Sequence, residues 1–150
     1  MKKLNNTLII GIGNNTRQDD GLGWKFLELL ENNGFTVDNL VYKYQLMVED
    51  AELISEFDAV IFVDACKSEL ENGFDFERIY PAEEVSFSTH SVPPNQILNL
   101  CETLYAKKPK AYLMKIQGYQ WNIEIGLSKK AKTNLNNAFT YFIEKFLSLV

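Results

Sequence analysis

The sequence predicts an α/β protein. The expected architecture is a three-layer α/β/α arrangement around a mostly parallel, twisted sheet of about five strands, formed as a single domain over residues 1–150. Three observations predict it. Short unbroken apolar runs at Thr7–Ile12 and Ala59–Val63 have the length and content of strands buried on both faces. Segments with helical apolar spacing alternate with those runs. The length suits one domain that buries its own core without disulfide staples.

The elements follow in order. Thr7–Ile12 is the first strand, and a helix over about Asp20–Asn33 ends at Gly34, a usual helix stop. Val37–Leu46 alternates well enough for a second strand. Glu49–Glu56 reads as a short acidic helix. Ala59–Val63 is the most clearly buried strand and ends on Asp64. Gly73–Tyr80 alternates Phe74, Phe76 and Arg78 and is closed by Pro81, which marks an edge strand. Glu83–Pro94 is a polar loop, and Pro94–Leu104 a helix with Ile97, Leu98, Leu100 and Cys101 inward. Lys107–Pro109 turns the chain into a strand at Ala111–Gln117. Ser128 caps a last helix that carries Leu135, Ala138, Phe139, Phe142, Phe146 and Leu149 at helical spacing. Lys129, Lys130 and Lys132 at its start read as a solvated face.

Composition narrows the function. The chain is 46% hydrophobic, so it is not disordered, and its net charge of −5 disfavours a nucleic-acid partner. Cys66 and Cys101 lie far apart, with no CxxC pair or zinc spacing, and read as free thiols in a reducing compartment. The apolar run behind Lys2–Lys3 lacks a signal-peptide pattern, and no window has the length of a membrane span. A soluble cytoplasmic protein, monomeric and away from membranes, is expected.

The chemistry gathers where strands hand over to helices. In an open parallel sheet that carboxyl edge is where ligands bind. The first strand delivers the loop Gly11–Gly21 with Asp19 and Asp20, the strand at 59–63 delivers Asp64, and the loop before the helix at 94 delivers His90, the only histidine. Asp20 and Asp64 are 44 residues apart, and Asp64 and His90 are 26 apart, yet all three can reach one edge. Two carboxylates and one imidazole suit a divalent transition metal with open positions, the imidazole favouring nickel, zinc or iron over magnesium. The same groups could polarise a water for hydrolysis. Each has a plainer reading too. Asp20 could cap the following helix, Asp64 could close an Asx turn, and His90 could be an exposed loop residue. Asp19 is the better helix cap, which leaves Asp20 free. Gly11 and Gly13 are not a dinucleotide fingerprint, because Thr16 stands at the third glycine position. No Gly-Lys-Ser/Thr is present, so a P-loop is excluded. The two glycines shape a tight turn or a close approach.

Gly-Ile-Gly-Asn-x4-Asp-Asp-Gly-x-Gly (11–23), Phe62-Val63-Asp64-Ala65 and Ser88-Thr89-His90, in this order and spacing, resemble the three motifs of the hydrogenase maturation endopeptidases. Ile116-Gln117-Gly118 and Ile123–Ser128 are similar to that family's last strand and the start of its final helix. The resemblance covers nearly the whole chain. It implies an endopeptidase that clips a C-terminal peptide from the large-subunit precursor of a [NiFe] hydrogenase once nickel has been inserted. Asp20, Asp64 and His90 map onto the metal-contacting positions, and the first of these is Glu or Asp among members. The resemblance also implies that the nickel is carried by the substrate as a recognition element, so the enzyme alone can be metal-free. Either Asp20 or Asp64 would assist a water as general base. The sequence departs from the pattern at Asn15–Gln18, which is unusually polar, and at Gln117–Trp121, which replaces a commoner Gln-Pro stretch. These departures bear on partner choice more than on chemistry.

A phospho-receiver domain is the alternative, with Asp19 and Asp20 around magnesium, Asp64 as phosphoacceptor and Lys115 on the last strand. Spacing opposes it: the acidic pair lies six and seven residues past Gly13, and His90 has no part to play. A non-catalytic chaperone of the nickel-bearing subunit is a third reading, which the presence of all three candidate residues disfavours.

Overall fold

Ile9 and Ile10 point to opposite faces of one strand, and both are buried. That is the condition of a strand covered by helices on both sides, and every residue of the first strand, β1 (Thr7–Ile12), satisfies it. The structure is a computed structural model that describes residues 5–84 and 92–146. After β1 come helix α1 (Leu22–Asn32), β2 (Leu40–Lys43), α2 (Asp50–Ser55), β3 (Ala59–Cys66), β4 (Phe74–Ile79), α3 (Pro94–Tyr105), β5 (Lys110–Gln117) and α4 (Lys129–Tyr141). A π-helical turn, Phe142–Phe146, continues α4.

The strands form one sheet in the order β2-β1-β3-β5-β4. β1, β2, β3 and β5 are parallel, and β4 closes the edge antiparallel against β5. Side-chain alternation divides the core into two layers. Ile9, Ile61, Met114 and Ile116 pack with Leu22, Phe26, Leu30, Ala131, Leu135, Ala138 and Phe142 under α1 and α4. Leu8, Ile10, Val60, Phe62 and Ala111 pack with Ala51, Ile54, Ile97, Leu98 and Cys101 under α2 and α3. The three-layer, mostly parallel sheet of five strands is thus the architecture the sequence predicts. Leu149 lies outside the described residues, and both cysteines are free.

Four boundaries differ from expectation, and all but the start of β2 shape the carboxyl edge. β2 stops at Lys43, not Leu46, because its partner ends: Ile12 pairs with Lys43, then Gly13 turns away at φ 140° and donates its N–H to the Lys43 carbonyl at 3.0 Å. Val37–Asn39, expected to begin the strand, form a 3₁₀ turn. β3 runs on through Cys66 because β5 continues beside it, pairing Asp64 with Lys115 and Cys66 with Gln117. Asp64 is therefore a residue within the strand rather than the first of a turn. Its other flank is open, since β1 pairs with β3 only as far as Gly11 and Val63. The first helix starts at Leu22, preceded by a 3₁₀ turn over Gln18–Gly21.

The start of α1 lies hard against the strand ends. A Cβ on Gly23 would run into the carbonyl oxygens of Val63 and Ile12. Only a glycine lets helix and sheet backbones meet this closely. We expect Gly23→Ala to lower stability by about 3 kcal/mol, read as an earlier urea unfolding midpoint with an unchanged slope.

Candidate active site

The pairing of β1 with β3 ends one residue short of Asp64, and the chain that leaves β1 loops over the opening. Asn14 donates its N–H to the carbonyl of Asp20 at 3.1 Å, and Asp20 donates its own to that of Arg17 at 3.1 Å. The loop closes on itself in this way and sets Asp20 beside Asp64. Gly13 makes the closure possible, because a Cβ there would collide with the Asp20 carbonyl.

Asp64 shares a face with Val60 and Phe62, whose side chains α2 and α3 cover. It is the first residue on that face past the apolar cover. Its Oδ1 accepts the N–H of Ala65 at 2.8 Å. This bond to the next residue is not an Asx turn. Burial pushes its carboxyl up to about 7, against the pull of the Ala65 bond, and the negative charge of Asp20 pushes the same way. Among the described residues no cation forms an ion pair with Asp20 or Asp64.

Two clefts meet at this pair of carboxylates. One, of about 310 Å³, is lined by Gly13, Tyr44, Leu46, Val92 and Pro93 together with Asp20 and Asp64. The other, of about 340 Å³, is lined by Arg17, Ala65, Lys67 and Trp121 with the same two aspartates. The pair therefore stands where a chain lying through both clefts would pass from one to the other. The structure thus brings together two of the three site residues that the sequence predicts. The third, His90, lies outside the described residues. Val92, two residues further along the chain, lines the first cleft. Among the described residues no three His, Cys, Asp or Glu side chains form a metal cluster.

Asp19 does not cap α1, as the sequence suggests it should. The capping position falls on Gly21, and no side chain caps it. Asp19 turns the other way and is 0% exposed. Its Oδ2 accepts the N–H groups of Tyr119 at 2.7 Å and Gln120 at 3.0 Å and the Ser128 hydroxyl at 2.7 Å. Its Oδ1 accepts the Ser128 N–H at 2.8 Å. Burial alone would raise its carboxyl, but the bonds from Ser128, Tyr119 and Gln120 outweigh it and hold the carboxyl below its ordinary value. Ser128 in turn accepts the N–H of Ala131 at 3.3 Å, the predicted cap of α4. A single buried carboxylate thus ties the loop that carries Asp20 to both ends of the segment joining β5 to α4. Gln18 adds to the tie. Its N–H donates to the Glu124 carbonyl at 2.8 Å, its Nε2 to Gln120 Oε1 at 3.0 Å, and its Oε1 accepts the N–H of Asn122 at 3.0 Å.

Lys115, which a receiver domain would need at its phosphoacceptor, lines neither cleft. It lies 4.0 Å from carboxylate oxygens of both Asp75 and Glu77 on the edge strand. Among the described residues no helix is long and apolar enough to cross a membrane.

No protein-family model matches the sequence, and no curated protein matches it. Solved structures do. The hydrogenase-maturating endopeptidase HybD from E. coli superposes with a TM-score of 0.70 at 21% identity, over 95% of this chain and 92% of that one. The [NiFe] hydrogenase maturation protease HycI from Thermococcus kodakarensis gives 0.66 at 24% identity, over 92% and 90%. The hydrogenase 2 maturation peptidase from a Thaumarchaeota archaeon gives 0.66 at 16% identity, over 93% and 97%. Over more than nine-tenths of its length, this chain has the fold of the hydrogenase maturation proteases.

Proposed function

We propose that this protein is an endopeptidase that removes the C-terminal peptide of a [NiFe] hydrogenase large-subunit precursor after nickel insertion, and that nickel carried by the substrate is its recognition element. The observation that carries this reading is the Asp20–Asp64 pair at the join of two clefts, on a fold shared with maturation proteases.

The pair suits both halves of the task. Two carboxylates that no described cation pairs with offer hard oxygen donors, and His90 would add the imidazole that favours nickel over magnesium. Contact with nickel in the precursor tests that it is loaded and holds the neighbouring peptide bond in place. Asp64 is the better base, because a carboxyl that titrates near 7 accepts a proton from water more strongly than an ordinary one. As water adds to the scissile carbonyl, Asp64 takes its proton. As the C–N bond breaks, Asp64 returns that proton to the leaving amine. Asp20 supplies the second metal contact.

The test is to incubate the protein with nickel-loaded and nickel-free precursor and follow the size shift on a gel. We expect cleavage of the loaded form only. Equal cleavage of both forms removes the nickel requirement, and cleavage of neither, with a cognate precursor, removes the assignment.

A further inference from the structure

The second cleft is polarised. Asp20 and Asp64 lie at the end it shares with the first cleft, and Arg17, Lys67 and Trp121 line it without reaching the first. Arg17 precedes Asp20 by three residues and Lys67 follows Asp64 by three. The two cations thus ride on the segments that deliver the carboxylates. Both are held by Trp121. Arg17 Nη2 donates to its carbonyl at 3.4 Å, and Lys67 Nζ sits 5.3 Å from the indole centroid. Neither contact neutralises a charge. A guanidinium has five N–H donors and this bond uses one, while a cation over a ring face keeps its charge and its donors. The chain carries a net charge of −5, and lysines 25, 43, 108 and 115 all pair with carboxylates. Among the described residues, Arg17 and Lys67 form no such pair.

We propose that Arg17, Lys67 and Trp121 form a carboxylate-binding subsite that selects the peptide segment on one side of the bond cut at Asp20 and Asp64. The inference rests on the endopeptidase reading for its role, though not for its chemistry. A planar guanidinium on the Trp121 carbonyl and an ammonium over the Trp121 ring, lining one cleft, take a carboxylate by charge-assisted hydrogen bonds. The carboxylate comes from an acidic side chain near the cut or from the terminus of the peptide to be released. In either case the gradient from cations to carboxylates fixes the direction in which the segment lies.

The two tryptophans, Trp24 and Trp121, make the subsite observable without catalysis. Trp24 donates its indole N–H to Lys43 and packs on Tyr42 and Tyr44, away from this cleft. In the full-length ¹⁵N-labelled protein each indole gives its own NMR signal. Three capped tripeptides are titrated to about 20 mM, a range that detects millimolar binding. One carries a glutamate and a C-terminal amide, one carries alanines and a free C-terminal carboxylate, and one carries glutamine and an amide. We expect the Trp121 signal to move with one or both carboxylate peptides, and which of them moves it identifies the source. The glutamine peptide leaves it in place, and Trp24 stays put throughout. Arg17→Gln with Lys67→Gln weakens the response at least about tenfold, and the unmoved Trp24 signal shows that the variant is folded. Lys67→Gln alone gives a smaller loss. A Trp121 signal that ignores carboxylate, or that responds equally in the double variant, overturns the subsite even if the precursor is cleaved. A carboxylate response without precursor cleavage upholds the subsite and removes the endopeptidase reading instead.

Discussion

Asp19→Ala is expected to destabilise the protein by about 4 kcal/mol, more than the loss of any single hydrogen bond could. The reason lies in what it leaves behind. The N–H groups of Tyr119, Gln120 and Ser128 and the Ser128 hydroxyl all end on this one carboxylate, which is wholly buried. Remove it and four donors face an empty, largely dry space. For a chain of this length the loss corresponds to a fall in Tm of about 12 °C, measured by circular dichroism. Asp19→Asn keeps the shape and one acceptor but turns an NH₂ group toward donors, so about half the loss is expected. The pH dependence has a definite sign. The hydrogen bonds hold the folded carboxyl below its unfolded value of 3.8. Its contribution is therefore fully present above that value and is lost as pH falls through the folded pKa. The native protein should weaken in acid by a step that the Asn variant lacks. The Ala variant should also lose cleavage, because the tie it breaks holds the Asp20 loop against the segment bearing Trp121.

This tie marks the limit of what the sequence reveals. Most of what local pattern decides was legible. The unbroken apolar runs became the buried strands β1 and β3, the alternating Phe74 and Phe76 became an edge strand, and Ser128 became the cap of α4. Asp20 and Asp64 were legible as a pair because parallel topology alone brings strand ends to one edge. Asp19 was not. A carboxylate one residue before a helix start reads as a cap, and nothing nearby in sequence signals donors a hundred residues away. The extent of β2 and β3 was hidden for a related reason: strand length is set by the neighbour's length, which is a tertiary fact. The two stretches that depart from the family's pattern, Asn15–Gln18 and Gln117–Trp121, looked like separate oddities. In the structure they contact each other, Gln18 with Gln120 and Arg17 with Trp121. Polar residues in one stretch make sense once the other supplies their partners.

Asp64→Asn should have opposite effects on activity and stability. Activity falls by about a thousandfold, the range expected when a general base is removed, read as the rate of precursor cleavage at saturating substrate. Stability rises at alkaline pH. The folded carboxyl titrates at about 7 and the unfolded one at 3.8, so between those values the folded state binds more protons. The native protein must therefore lose stability as pH climbs from about 4 to about 7 and stay at the lower level above it. The neutral amide has no charge to bury and can still accept the Ala65 N–H. A shift of about three pK units would be worth about 4 kcal/mol if fully realised. Water entering the open clefts reduces it, and we expect the Asn variant to be more stable by about 2 kcal/mol at pH 8 and equal to the native protein at pH 4. Urea titrations at the two pH values measure this directly. A native protein whose stability does not change between them would mean that Asp64 carries no buried charge. Asp20→Asn separates the causes. It removes the smaller, Coulombic push and leaves the burial, so the descending step should move down in pH and persist. Stored instability at one carboxylate is what a base poised for neutral pH requires.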